Sequence, residues 1–326
     1  MKSNFTPGLV SIIVASYNHS AFLKRRMDSL IKQTYAQIEI IVIDDCSSDD
    51  SWEILQDYAD FDSIRLIQNN KNVGWVEVSN QGAKLSRGEY LLFANCDDAC
   101  NEKLIEILFN AIKNRPQAAL AFCRSAMVDS TDKLIGDDFS VRESAFKLRC
   151  KSDALLNAHE MRRFLMHSCV IPNLSATLIR RETFILLEGF TKNYKACSDW
   201  EFFFRLAEKY QFVYKHQSLN YFRQHETTIR SQTKRPETLD EFFKLLLPKL
   251  NCSDFTVKER IRFRIHIMYL WAIDLLKPPF FGWFSFFHHL RLVYILDFLS
   301  LSFLPIALLI RLAELPNKLF NKLFKI

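Results

Sequence analysis

The sequence predicts an α/β fold: a doubly wound, mainly parallel sheet flanked by helices, followed by a separate α-helical region. Three observations predict it. Short runs rich in β-branched residues alternate with segments of helical period, at a spacing that suits strand–helix–strand crossovers. Polar clusters stand directly after three of those runs. Beyond about residue 250 the alternation stops and basic, apolar helical segments replace it.

Leu9 to Ala15 reads as a buried strand. Residues 20–34 then carry Leu23, Met27, Leu30 and Ile31 on one helical face, with Ser20 as N-cap. Ile38 to Ile43 is a second strand, and residues 50–59 place Trp52, Leu55 and Ala59 on one face. Ile64 to Ile67 forms a weaker third strand, residues 75–86 a helix, and Tyr90 to Phe93 a fourth strand. Leu104, Ile105, Leu108 and Ile112 mark the next helix, and Ala118 to Cys123 the fifth strand. Residues 124–170 give no regular pattern, and Asp137-Asp138 within them reads as a solvated loop. Strand and helix character returns over 172–190. Residues 199–209 form a helix with Trp200, Phe203, Phe204 and Ala207 inward, and Ile261 to Leu276 another that Pro278-Pro279 ends. The expected division is 1–245 for the sheet domain and 246–326 for the helical region.

A chain of 326 residues has room for about two domains. With 49% hydrophobic and 25% charged residues it can build a full core. The net charge of +6 lies wholly beyond residue 257, where ten Lys/Arg face four Asp/Glu. The first 257 residues are neutral overall, and no nucleic acid is expected as a partner. Eight Cys without a CxxC pair indicate free thiols in a reducing compartment. The N-terminal stretch lacks the pattern of a signal peptide, so a cytoplasmic setting is expected.

The chemistry lies at the strand ends. Ser16-Tyr17-Asn18 follows the first strand, Asp44-Asp45 the second and Asp97-Asp98 the fourth. In a parallel sheet these ends converge on one crevice. Adjacent carboxylates repel and raise each other's pKa, so the Asp97-Asp98 pair calls for a cation or a network of donors. Neither GxGxxG nor GxxxxGK[ST] occurs, and there are only seven Gly. A divalent cation, Mn²⁺ or Mg²⁺, held by Asp oxygens is another way to grip a diphosphate. Plainer roles stand beside this one. Asp44-Asp45 suits a turn, Asp97-Asp98 could cap a helix near Asn101, Asp199 could cap the helix it opens, and a lone His225 could be structural.

Several stretches, in this order, resemble a family 2 glycosyltransferase of the GT-A, Rossmann-like fold, over roughly residues 8–230. They are Val10 to Asn18, Gln33-Thr34-Tyr35, Val42 to Ser51, Asn72-Val73-Gly74, Asn80 to Ala83, Gly88-Glu89-Tyr90, Asn95 to Asp98, Ser198 to Glu201 and Tyr221 to His225. The resemblance implies an inverting transfer from a nucleotide sugar, UDP before dTDP or GDP, to a glycan or lipid-linked acceptor. It implies that Ala15, Ser16 and Tyr17 contact the base with Asp45, that Asp44 holds that loop, and that Asn72 and Gly74 belong to the same nucleotide site. Asp97 would lie by the ribose or metal, Asp98 would be the main metal ligand with His225 beside it, and Asp199 would be the catalytic base. Two positions depart from the family pattern. Asn95 replaces a common acid but leaves the last two acids intact, so metal binding is expected to survive; Ser79 replaces a common basic residue, which weakens the expected diphosphate or sugar contacts.

Phe298 to Ile310 lacks charge but is short of the roughly 20 residues of a membrane span. Lys318, Lys322 and Lys325 alternate with Leu319, Phe320, Leu323 and Phe324, as in a helix lying on an anionic membrane surface. The expected placement is the inner face of the cell membrane. Packing of these helices on the catalytic domain or on a second copy is the alternative. Two rival functions remain: a non-catalytic membrane scaffold that keeps the fold, and a nucleotidyltransferase, which would usually need a basic Gly-rich loop that is absent.

Overall fold

The computed structural model describes residues 5–225, 235–276 and 283–314. They divide into two compact units, Met1–Thr228 and Ile229–Ile326. The helix at 235–246 therefore belongs to the second unit, not to the sheet domain as the 245/246 division had it.

The first unit is built on ten strands: β1 Thr6–Ser16, β2 Ile38–Asp44, β3 Ile64–Gln68, β4 Gly88–Asn95, β5 Ala99–Cys100, β6 Ala118–Val128, β7 Leu134–Asp137, β8 Ala154–Leu156, β9 Thr177–Arg180 and β10 Gln211–Arg223. Eight helices accompany them: α1 Ser20–Ile31, α2 Ser51–Gln56, α3 Trp75–Leu85, α4 Leu104–Ile112, α5 Ser144–Arg149, α6 Ala158–Leu165, α7 Arg181–Leu186 and α8 Ser198–Leu206. The strands run in the order β3-β2-β1-β4-β9-β6-β10-β5. The first four are parallel, as expected from the alternation. β9 enters antiparallel between β4 and β6, and β10 then runs parallel to β6, so the sheet is mixed.

Period 2 sorts the side chains. Val10, Ile12 and Val14 join Leu23, Met27 and Leu30 of α1, Leu55 of α2 and Leu108 of α4 in the main core. Ile41 and Ile43 face Val78 of α3 on the other side. Each such side chain contributes about 1.5–3 kcal/mol when fully buried. Gly82 lets α3 settle on β1, because a Cβ there would stand 2.4 Å from Ile13 Cγ2.

The helix caps come partly from afar. Ser20 does not cap α1; its N–H donates to Asp49 Oδ2 from the β2–α2 loop at 3.0 Å. Asp138 is not a solvated loop residue either. It is buried, accepts from Ser125 N at 2.5 Å and pairs with Arg142 Nη2 at 3.1 Å. All eight thiols are free, and five are buried in addition to two half-buried ones, while Cys46 is exposed.

The second unit contains α9 Arg235–Leu246, α10 Val257–Leu275, α11 Trp283–Asp297 and α12 Leu304–Ala313, with a 3₁₀ turn Phe298–Phe303 between the last two. A capping box of Thr256 and Glu259 opens α10. Trp271, Phe243 and His289 form its ring-packed centre. From Phe284 to Ala313 the chain is helical for 30 residues, and an 18-residue window within them has mean hydropathy 2.2. By length and composition this stretch could cross a membrane, which the count of 13 uncharged residues had not suggested. Phe284, Tyr294, Ile295 and Leu309 on it are exposed. The Lys318–Lys325 pattern lies outside the described residues.

Candidate active site

Parallel pairing fixes the site. Ser16 is in register with Asp44 of β2, and Ala15 with Asn95 of β4. The residues that follow β1, β2 and β4 are therefore neighbours. The sheet order reverses at β1, and such a switch point opens a crevice at the carboxyl ends of the strands.

Asp44 and Asp45 shape one wall. Asp44 is buried and accepts from Ser47 N at 3.0 Å and Ser47 Oγ at 2.6 Å, so the plain turn role holds for it. The Asp45 carboxylate accepts from Asn69 Nδ2, Val73 N and Gly74 N at 2.8–3.0 Å. It thus holds the 69–74 loop, which carries Asn72 and Gly74; Asn72 is exposed there and Gly74 sits at φ 87°. Asp45 N in turn donates to Ser16 O at 2.8 Å. Asn18, in the left-handed region at φ 52°, accepts from Ser48 N at 2.8 Å and locks the β1 loop to the β2 loop. Tyr17 stands exposed at the rim.

Asp97 and Asp98 have different surroundings. Asp97 Oδ2 lies 2.9 Å from His225 Nε2. One ligand atom each of His19, Asp97 and His225 falls within 4.8 Å of the others. Burial pushes Asp97 up, but the His225 hydrogen bond and the charges of His19 and His225 outweigh it and hold Asp97 below the usual carboxylate range. Asp98 is only 1% exposed. Its Oδ1 accepts from Arg223 N at 3.0 Å, and its Oδ2 from Asn173 Nδ2 at 2.7 Å and Asn95 Nδ2 at 3.4 Å. Burial first, and the charge of Asp97 second, push Asp98 up to about 7. The expectation that Asp98 is the main ligand is not what the geometry favours. Protein donors occupy both its oxygens, whereas Asp97, expected at the ribose or metal, faces the two imidazoles. Neither acid caps a helix, since α4 begins at Leu104 after Lys103.

Three residues of the site were not assigned from sequence. His19 lies one residue past the recognised β1 motif. Asn173 joins Asp98 to Asn220 Nδ2, 3.1 Å from its own Oδ1. Arg223 is buried, and its Nε donates to Asp97 O at 2.8 Å and its Nη1 to Asp129 O at 2.7 Å, with its guanidinium 4.8 Å from the Phe22 ring centroid. It ties β10 to the acid loop. Only Arg223 carried a sequence signal, within the Tyr221 to His225 motif.

Asp199 is in the first turn of α8, after Cys197 at the N-cap, and its Oδ1 accepts from Trp200 N at 2.7 Å. It is not the cap. Four rings fasten α8 to β4: Phe93, Phe184, Phe190 and Phe202 pack with centroids 5.0–5.2 Å apart. Ser198 Oγ also donates to Thr191 O at 2.6 Å, and Trp200 Nε1 to Leu165 O at 3.1 Å. Asp199 therefore stands in the first turn of a helix docked on the strand that leads to Asp97. A surface hollow lined by Glu106, Arg115, Asp153 and Lys215 shares no residue with this site.

A doubly wound α/β sheet with its polar groups gathered at a switch point is a ligand-binding architecture. The chain belongs to glycosyl transferase family 2, whose model matches residues 11–184. It is 30% identical over 145 residues to Glycosyltransferase GlyG of Streptococcus pneumoniae serotype 4, covering 43% of this chain and 48% of that protein. It is 40% identical over 90 residues, 28% of this chain and 36% of the relative, to WfaP of Escherichia coli, a UDP-Glc:alpha-D-GlcNAc-diphosphoundecaprenol beta-1,3-glucosyltransferase. The chain thus spans half the length of these relatives or less. The crystal structure of S. aureus TarS 1-349 in complex with UDP-GlcNAc superposes with a TM-score of 0.67 at 17% identity, over 90% of this chain and 83% of that one. The fold is the GT-A fold.

Proposed function

We propose that this protein transfers a sugar, with inversion, from a nucleotide-diphosphate sugar to a hydroxyl of a glycan or lipid-linked acceptor. The Asp45-held loop and the Asp97–His225 pair at the ends of β1, β2 and β4 carry this reading, and the docking of the Asp199 helix on β4 supports it. UDP is the favoured nucleotide, in keeping with the UDP-sugars named for WfaP and TarS. The WfaP name also supports a lipid-diphosphate acceptor of the kind used in bacterial surface polysaccharide synthesis.

Tyr17 and the β1 loop receive the base, and the 69–74 loop, held by Asp45, closes the nucleotide site. Asp97 and His225 fit a divalent cation, Mn²⁺ or Mg²⁺: two ligands about 2.1 Å from one ion and near a right angle stand about 3 Å apart, and these stand 2.9 Å apart. Such an ion, when bound, offsets charge on the departing diphosphate. Asp199 accepts the proton of the acceptor hydroxyl as its oxygen bonds to the anomeric carbon. The bond from that carbon to the diphosphate oxygen breaks on the opposite face, and the nucleoside diphosphate leaves. Asp98 and Arg223 take no part in proton movement; they hold the Asp97 loop in place.

The exposed apolar residues of α11 and α12 support membrane association of the second unit. This would bring the site to an acceptor anchored in the inner face of the membrane.

The test is calorimetric binding of UDP, GDP and dTDP, with and without Mn²⁺, to wild type and Asp97→Ala. Metal-dependent binding of one nucleotide that disappears in the variant supports the donor site. A folded protein that binds none of them favours the non-catalytic scaffold.

A further inference from the structure

We propose that His19 is a third protein ligand of the cation, so that the site is a two-imidazole, one-carboxylate set that prefers Mn²⁺ or a later first-row divalent ion to Mg²⁺. The inference rests on the reading of this crevice as a metal-assisted donor site.

The argument begins with the His19 ring. Its Nδ1 lies 2.6 Å from the carbonyl oxygen of Tyr17. A carbonyl only accepts, so Nδ1 carries the proton and donates it. In the neutral ring the lone pair is then on Nε2. That atom is buried and has no hydrogen-bond partner. A buried imidazole nitrogen without a partner costs roughly 1–3 kcal/mol unless something binds it. A carbonyl on one nitrogen, fixing the tautomer and aiming the other, is the usual support of a metal-bound imidazole.

The surroundings point the same way. His19 follows β1 and Asp97 follows β4, so the two flank the switch point of the sheet. His225 follows β10 and meets His19 edge to face, with centroids 5.6 Å apart. Phe22, on the first turn of α1, packs on both rings at 6.4 and 4.9 Å and fixes their orientation. The ligand atoms of all three residues fall within 4.8 Å of one another, and one ion with bonds of about 2.1 Å spans up to about 4.2 Å, so a side-chain shift of roughly 0.6 Å or less gathers them around it.

Ligand chemistry sets the preference. Mg²⁺ demands oxygen ligands and keeps most of its water. Imidazole suits first-row transition ions, and two imidazoles with one carboxylate leave open positions for diphosphate oxygens. The His19 link also joins the ion to Tyr17, so cation binding and the base-receiving loop are mechanically connected.

The experiment is electron spin-echo envelope modulation of Mn²⁺ added to the full chain, with and without UDP. Directly bound nitrogens are counted in wild type, His19→Phe and His19→Ala, and Mn²⁺ affinity is measured by the free-ion signal. Wild type should show two coordinated nitrogens and His19→Phe one, with affinity at least ~10-fold weaker. Mg²⁺ in roughly hundredfold excess should leave the two-nitrogen signal in place. One nitrogen in wild type, unchanged in His19→Phe at equal affinity, overturns the role of His19 while the metal-assisted reading survives. No protein-bound Mn²⁺ at all, even with UDP, removes that reading together with this one. The wild-type count decides the matter even where a variant folds poorly.

Discussion

The Asp98 side chain should give the metal-free protein a stability that falls as pH rises. In the folded protein its pKa is raised to about 7 from an ordinary 3.8. The folded state therefore keeps a proton that the unfolded chain has already lost. The stability Asp98 contributes is full below about pH 4 and is lost as pH rises through about 7. Integrating the linkage relation for these two values gives a loss on the order of 2–3 kcal/mol between roughly pH 5 and 8. For a unit of this size that is about 5–10 °C in Tm. The assay is thermal unfolding of wild type and Asp98→Asn across this range in chelator. Titrations of groups that do not interact with Asp98 cancel in the difference, so wild type should lose on the order of 2–3 kcal/mol more than the variant. A divalent ion at Asp97 places positive charge nearby and should flatten the wild-type slope. Parallel curves would refute the reasoning. They would mean that Asp98 is ionised throughout, because the donors Arg223 N, Asn173 and Asn95 and the charge of Arg26 outweigh burial.

Four further outcomes follow. Asp199→Asn preserves shape and the acceptor for Trp200 N, so UDP affinity should hold while turnover drops by about 10²–10⁴; turnover within tenfold of wild type places the base elsewhere. Asp45→Asn turns an amide toward donors that now meet a carboxylate and should cost about 2–4 kcal/mol in urea unfolding; unchanged stability shows that the 69–74 loop does not depend on it. Gly82→Ala gains up to about 1 kcal/mol of helix propensity. The new Cβ would stand 2.4 Å from Ile13 Cγ2, so the net result should be a loss of about 1–3 kcal/mol; a more stable variant would show that α3 can shift off β1. In flotation with vesicles containing phosphatidylglycerol the full chain should float, and Phe284→Asp with Leu309→Asp should float markedly less; a chain left wholly in the soluble fraction contradicts membrane association.

The sequence shows what is local and periodic. Val10 to Val14 and Ile40 to Ile43 are buried runs that only a covered sheet can use, and their alternation with α1 and α3 makes the parallel pairing of this half readable, though not its strand order. Strand β9 has only four residues, Thr177-Leu178-Ile179-Arg180, and nothing local says that it enters antiparallel between β4 and β6. The same limit applies to side chains whose partners are distant. From sequence Asp138 reads as solvated, because its partner Ser125 N lies 13 residues back. Ser20 was read as its own cap because Asp49 lies 29 residues ahead. Candidate ligands at positions 19, 97 and 225 show no spacing that a motif could capture. Asp97 and His225 could be proposed only through the family resemblance, and the resemblance stopped one residue short of His19.

Two acids in sequence, at first sight a conflict of charge, serve two separate purposes here. Side chains leaving a strand end point apart, so Asp97 can face the imidazoles while Asp98 turns inward to Arg223 N and Asn173. A ligand carboxylate on a loop needs a fixed backbone, and the inward acid provides it by joining the β4 end to β10 and to the segment before β9. The departure at Asn95 fits this division. Its Nδ2 lies 3.4 Å from Asp98 Oδ2 and donates to it. A carboxylate at that place would oppose Asp98 by on the order of 5 kcal/mol at an effective dielectric of about 20. Asn95 removes that repulsion and adds a donor, so the protein can keep a buried acid behind its ligand with one negative charge fewer in the crevice. The departure from the family pattern therefore changes how the acid loop is supported and leaves the Asp97 side that faces the two imidazoles intact.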